Sequence, residues 1–202
     1  MLYLTSMASP ARGLNQYAKD HDDIDPKYQD MRFNQGDVVT TLIKCANGET
    51  IKLTLETTLP HYYSRGFTIH GTEGLYTEDT HSLLLNSDHT KDDHLGWSKH
   101  WDNVSKTYFE KYDHPLWKTF LAEGVKGGHG GCDYLVLRAF IENLKAGTNM
   151  PIDVYDAAAW MAVTALSSES IALGSAPIAI PDFTSGTWCN RPDHAEGKYS
   201  LE

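Results

Sequence analysis

Residues Gly127-Gly128-His129-Gly130-Gly131 lead into Cys132-Asp133 and then an apolar helical stretch, leaving one imidazole and one carboxylate in a segment with little side-chain bulk. Glycine loses more backbone freedom on ordering than any other residue, so such a run is explained best by left-handed backbone angles or a close approach. Asp133 stands where a helix N-cap is expected, ahead of Tyr134, Leu135, Leu137, Phe140, Ile141 and Leu144, with Gly147 past the end. The helix start would aim free N–H groups and partial positive charge at the loop, which suits a polar or anionic ligand. An imidazole with an ordinary pKa of about 6.5 could exchange protons there. The plain alternative is a flexible connector that only lets the helix turn back.

A second polar set is His61-Tyr62-Tyr63-Ser64-Arg65, after an alternating strand, and a third is Tyr155-Asp156, early in a long helix. A tyrosine, an arginine and a histidine presented from element ends suit hydrogen bonding to a sugar and proton transfer. The plain alternative is that Tyr63 packs and that Arg65 makes a surface ion pair worth little. The glycines at 71 and 74 do not make a dinucleotide fingerprint, and neither a P-loop nor a nucleophile-elbow serine is present. Two acidic segments stand out, 20–25 and 88–102; the second carries His89, His94 and His100 at irregular intervals. Zinc ligands sit at short fixed spacing on ordered elements, so this segment reads as a solvated loop.

These groups need a scaffold. Leu2 to Ser6 reads as a strand, and Val38 to Cys45 is rich in β-branched residues. Ile51, Leu53, Leu55, Thr57 and Leu59 alternate with polar residues, giving a half-buried strand. Asn47-Gly48 between the last two is a tight hairpin signal. Short runs at 67–70, 74–77 and 82–85 extend an antiparallel meander. From about Trp97 the spacing turns helical. Tyr108 and Tyr112 are separated from Trp117, Phe120 and Leu121 near His114-Pro115. A last helix is capped by Asp153 and carries an apolar stripe of Val154, Ala157, Ala158, Met161, Ala165 and Leu166, ending by Gly174. Strands first and helices after predict an α+β fold: an open antiparallel, meander-type sheet with helices packed on one face.

Composition narrows the class. The 202 residues are expected to form a single domain over 1–200, with Leu201-Glu202 read as vector-derived. A net charge of −10 argues against a nucleic-acid partner. No apolar stretch approaches the roughly 18 to 20 residues of a membrane span. Cys45, Cys132 and Cys189 are too few and scattered for a disulfide framework or a paired-thiolate zinc site, and no export signal opens the chain.

In order along the chain stand Asn47-Gly48 with its strand, Pro60-His61-Tyr62-Tyr63-Ser64-Arg65, Ile69-His70-Gly71-Thr72-Glu73-Gly74, residues 127–133, Val154-Tyr155-Asp156-Ala157-Ala158 with Trp160, and Ile180-Pro181-Asp182-Phe183-Thr184. This series resembles the C-terminal domain of the Gfo/Idh/MocA oxidoreductases. It is most similar to their NAD-dependent glycosidase branch, glycoside hydrolase family 109. The resemblance implies an N-terminal dinucleotide-binding domain outside this chain. NAD or NADP would be held at the junction in the full-length protein, and no cofactor by this piece alone. For the glycosidase branch it implies oxidation of a ring hydroxyl to a ketone, elimination of the glycosidic bond, water addition and re-reduction. Tyr63 matches the substrate-contacting tyrosine of the family's Tyr-Ser-Arg segment, while Tyr62 departs from the residue usual before it. The family's catalytic tyrosine and its His-Gly-Leu-Gly histidine would lie upstream of Met1, so the piece is expected to be inactive alone.

On this reading Tyr63 is the candidate catalytic residue. Tyr63, Arg65, His129 and Asp133 are the candidate substrate-binding residues, with Asp133 also capping its helix, and no residue is assigned to cofactor or metal. The partners are a sugar-type small molecule, the N-terminal dinucleotide-binding domain, and a second copy through the sheet face. The alternatives are a non-catalytic carbohydrate-binding module and an oligomerisation module.

Overall fold

A computed structural model describes residues 1–88, 101–104, 106–190 and 198–199. Residues 89–100 of the acidic segment 88–102, and Leu201-Glu202, lie outside the described residues. The chain forms two compact units, Met1–Pro60 with Val136–Ser200, and His61–Leu135.

In the first unit, strands β1 (Tyr3–Ala8), β2 (Val38–Lys44) and β3 (Thr50–Glu56) form an antiparallel meander, and the short β7 (Ile178–Ala179) joins the free side of β1, giving the order β3-β2-β1-β7. The Asn47-Gly48 turn closes β2 onto β3. The amide of Cys45 donates to the Glu49 carbonyl over 2.9 Å, and Gly48 takes a φ of +109° that a side chain would resist. Register places Leu4 opposite Ile43 and Ile43 opposite Ile51, so these three share one face. Helix α5 (Val154–Ala172) packs on that face, where Leu4, Ile43 and Ile180 form the buried core with Val163 and Leu166 beside it. Asp153 caps α5 as expected, and the cap is doubled: Asp156 accepts from the Asp153 amide in return.

Three readings are corrected here. The stripe expected on α5 coincides with its packed side only in part: Leu166 packs on the core, but Val154, Ala157, Met161 and Ala165 are exposed, and Val163, Ser167 and Ser170 complete the side that faces the sheet. The helix is apolar on every side, so periodicity could not choose the face. The apolar side chains of β3 share the α5 side of the sheet, yet Ile51, Leu53 and Leu55 remain 39–50% exposed, because α5 lies over β1 and β7. Between β1 and β2 the chain also forms helix α1 (Gly13–Asp20), where no helix was expected.

Asp37 explains α1. Buried beside the start of this helix, it accepts from the amides of Arg12 and Gly13, both at 2.9 Å, and from the Thr58 hydroxyl at 2.8 Å. The cap comes from 24 residues away, and Gly13 lies so close to Thr58 that a Cβ would sit 2.6 Å from its carbonyl oxygen. Burial pushes the Asp37 carboxyl up, but the three donors outweigh it and hold the value below the ordinary range. Its contribution is therefore present above an ordinary carboxylate pKa of about 3.9 and lost as pH falls through the lower folded value. Acid titration followed by the Gly13 amide resonance is expected to show α1 loosening only below that ordinary value; loosening at neutral pH would contradict it.

In the second unit, β4 (Thr68–His70), β5 (Gly74–Thr77) and β6 (Ser82–Leu85) form a separate three-stranded antiparallel meander. Gly74 is required there, since a Cβ would lie 2.5 Å from the Leu84 carbonyl oxygen of the next strand. Helices α2 (Lys106–Tyr112) and α3 (Pro115–Ala122) follow, with the His114 imidazole accepting from the Leu116 amide as the α3 cap. The expected α+β class and open antiparallel pairing are thus both present, with the strands divided between two sheets. No helix among the described residues is long and apolar enough to cross a membrane.

Candidate functional site

The glycine loop is shaped by both causes that its composition suggested. Gly127, Gly130 and Gly131 have φ of +82°, +66° and +99°, and His129 itself sits at +51°, a left-handed angle uncommon for a side-chain-bearing residue. Close approach adds to this. A Cβ on Gly131 would lie 2.2 Å from the Phe120 ring, and one on Gly127 would lie 3.0 Å from Tyr134 Cβ.

Helix α4 (Cys132–Ala146) starts two residues earlier than expected, after a single 3-10 turn at His129–Gly131. Asp133 is therefore in the first turn of the helix and is not its N-cap. Its carboxylate reaches back to His129, with Oδ2 2.7 Å from Nδ1. That hydrogen bond, and then the carboxylate charge, raise the His129 pKa above its ordinary value, outweighing a small effect of burial. The protonated pair therefore stabilises the loop below about pH 6.5, and the contribution fades as pH rises through the raised folded value. Because His129 is 84% exposed, the stability involved is small. An NMR titration of the His129 ring is expected to show a higher midpoint in the native protein than in Asp133→Asn; equal midpoints would break the link.

The second constellation is the loop before β4. Tyr62 and Tyr63 are 96% and 92% exposed, so Tyr63 does not pack into a core. Arg65 is not free either. Its Nε and Nη2 donate to Glu78 Oε1 at 3.0 and 2.7 Å, while Ser64 donates to Asp79. Arg65 and the Phe67 amide hold the Glu78 carboxyl below its ordinary range despite partial burial.

The structure thus brings Tyr63 next to the anchored Arg65 and brings His129 onto Asp133. Among the described residues, no hydrogen bond or ion pair joins the two arrangements. Tyr155 lies in the first turn of α5, and Asp156 is used in its cap. The residues that sequence reasoning missed are Glu78 and Asp79. The only signal for them was an acidic pair directly after a short strand. No group of His, Cys, Asp and Glu able to hold a metal is present among the described residues.

Open antiparallel sheets, a long helix on one face of the larger sheet, and polar loops at the element ends define an α+β fold. Levoglucosan dehydrogenase, solved in complex with NADH and L-sorbose, shares this fold with a TM-score of 0.56 and 17% identity, over 90% of this chain and 46% of that one. Residues 1–190 match the family model of the glycosyl hydrolase 109 C-terminal domain, and the chain belongs to that family. An alpha-N-acetylgalactosaminidase of Tannerella forsythia is 43% identical over 94% of this chain and 39% of its own length. A glycosyl hydrolase family 109 protein of Stenotrophomonas maltophilia is 41% identical over 98% of this chain and 42% of its own length. The chain therefore spans about two fifths of the length of these relatives.

Proposed function

We propose that this chain is the substrate-side, C-terminal domain of an NAD(P)-dependent glycosidase acting on an α-linked N-acetylgalactosamine unit, and that it is inactive by itself. The observation that carries this reading is the 43% identity to an alpha-N-acetylgalactosaminidase across 94% of the chain. In this reading the Tyr63 phenol, which is exposed, hydrogen-bonds a sugar hydroxyl and moves its proton, and Arg65 holds the loop that presents it. His129 and Asp133 form a second polar contact for the sugar, with the imidazole able to donate when protonated.

Among the described residues, neither Arg65 nor the glycine loop fits the dinucleotide itself. Arg65 is bound to Glu78, and the glycine loop carries the Asp133 carboxylate, whose charge opposes a pyrophosphate. In this proposal the nicotinamide cofactor is held by the remaining part of the full-length protein.

The test uses that full-length protein and an aryl α-N-acetylgalactosaminide. Hydrolysis is expected, and Tyr63→Phe is expected to lower kcat/KM about tenfold with an unchanged melting temperature, the loss of one hydrogen bond worth about 1 to 1.5 kcal/mol. An unchanged rate removes Tyr63 from the site. Sugar binding by this chain alone, measured calorimetrically, together with no hydrolysis by the full-length protein, would replace the enzyme reading with that of a binding module.

A further inference from the structure

We infer that Glu78 is the positioning residue for Tyr63, acting through Arg65 and the backbone of Phe67, and that Arg65 serves this anchor and not the sugar; this rests on the glycosidase reading above. Glu78 directly follows β5 and makes every contact that a clamp requires. Its amide donates to the Phe67 carbonyl at 2.8 Å and its Oε2 accepts from the Phe67 amide at 3.1 Å, fixing the residue that leads into β4. Its Oε1 accepts twice from Arg65, along one edge of the guanidinium. Of the pair, Glu78 is the sheltered member, with a side chain 24% exposed against 75% for Arg65.

The neighbouring Asp79 adds a second point. It accepts from the Ser64 hydroxyl, whose oxygen in turn accepts from the Gly66 amide at 2.8 Å. Gly66 turns the chain at φ +58° two residues before the strand. Three successive residues after Tyr63 are thereby tied to the end of β5 within one compact unit.

Tyr62 and Tyr63, in contrast, are almost wholly exposed, so ring packing does not set their direction. The direction of Tyr63 must come from the backbone that the clamp holds. A contacting side chain acts productively only when its support is itself fixed, and misplacement of about 1 Å carries a large kinetic penalty. Arg65 also cannot offer its most favourable face to a ligand while two of its N–H groups are spent on Glu78.

The experiment compares Glu78→Gln, Tyr63→Ala and the double variant in the full-length protein. Glu78→Gln keeps the side-chain volume and removes the charge, and is expected to lower kcat/KM about tenfold on the N-acetylgalactosaminide with an unchanged melting temperature. In the Tyr63→Ala background the same change is expected to cost less than about twofold, because there is no ring left to position. Equal losses in both backgrounds, or no loss in either, would overturn the inference. A second readout does not depend on turnover. In 3-fluorotyrosine-labelled protein, the Tyr63 resonance, assigned by its disappearance in Tyr63→Phe, is expected to shift and narrow in Glu78→Gln. An unchanged resonance also overturns the positioning role, whereas an inactive native protein with a shifted resonance sinks only the glycosidase reading.

Discussion

Replacing Gly131 by alanine is expected to destabilise the protein by about 3 kcal/mol, from two separable causes. The first is backbone strain: at φ +99° an L-residue is out of place, at a cost on the order of 1 kcal/mol. The second is steric. The new Cβ would stand 2.2 Å from one Phe120 ring carbon and 2.5 Å from the next, well inside contact distance. Phe120 cannot easily yield, because it is 4% exposed and its ring lies 5.6 Å from that of Trp117 and 5.8 Å from that of Tyr134. Overpacking of this kind adds roughly 2 kcal/mol.

Gly130 is the internal control. Its φ is +66°, but a Cβ there meets nothing within 4 Å, so Gly130→Ala is expected to show the strain alone, about 1 kcal/mol. Urea denaturation of both variants measures the difference. Equal losses would mean that the glycine loop is needed only for its angles, and that its seat against Phe120 does not govern its shape.

Local signals in the sequence carried far. The runs expected at 67–70, 74–77 and 82–85 became β4, β5 and β6 almost residue for residue, because each is short, β-prone and bounded by turn residues. Asn47-Gly48 and the Asp153 cap held for the same reason: their chemistry is confined to a few neighbouring residues. What failed to show was non-local. The start of α1 is capped by Asp37, which comes from beyond the end of the helix. Arg65 and Glu78 are 13 residues apart, on opposite sides of a strand turn, and no periodicity links them. The face of α5 was read only in part, with Leu166 on it and Val154 and Met161 off it, because both sides of the helix are apolar and tertiary contact decides. At the candidate site, the left-handed glycine loop was legible from composition, whereas the Asp133 side chain turning back to His129 was not, since an aspartate at that position serves equally well as a cap.

Ser170 shows how a residue with no evident role in the sequence can carry stability, and Ser170→Ala is expected to cost about 2 kcal/mol. Along β1, alternate N–H groups point away from β2, toward the side where β7 lies. Strand β7 is only two residues long and pairs with Tyr3 and Leu4, so it ends before Ser6. The Ser6 amide is picked up instead by Ser170 Oγ at 2.9 Å, and the same hydroxyl donates to the Ala176 carbonyl at 2.7 Å. Ser170 is fully buried and Ser6 nearly so. Removing the hydroxyl therefore leaves a buried donor and an acceptor without this partner, a penalty of roughly 1 to 3 kcal/mol. Alanine's better helix propensity returns only about half a kcal/mol, which does not reverse the sign. Ser168, exposed on the same helix and bonded only to the Thr164 carbonyl, gives the contrast: Ser168→Ala is expected to change stability by less than about 0.5 kcal/mol. Hydrogen exchange locates the effect, since protection of the Ser6 amide should fall in Ser170→Ala and not in Ser168→Ala. Retained protection at Ser6 would mean that the end of β7 reaches further along β1 than its two paired residues.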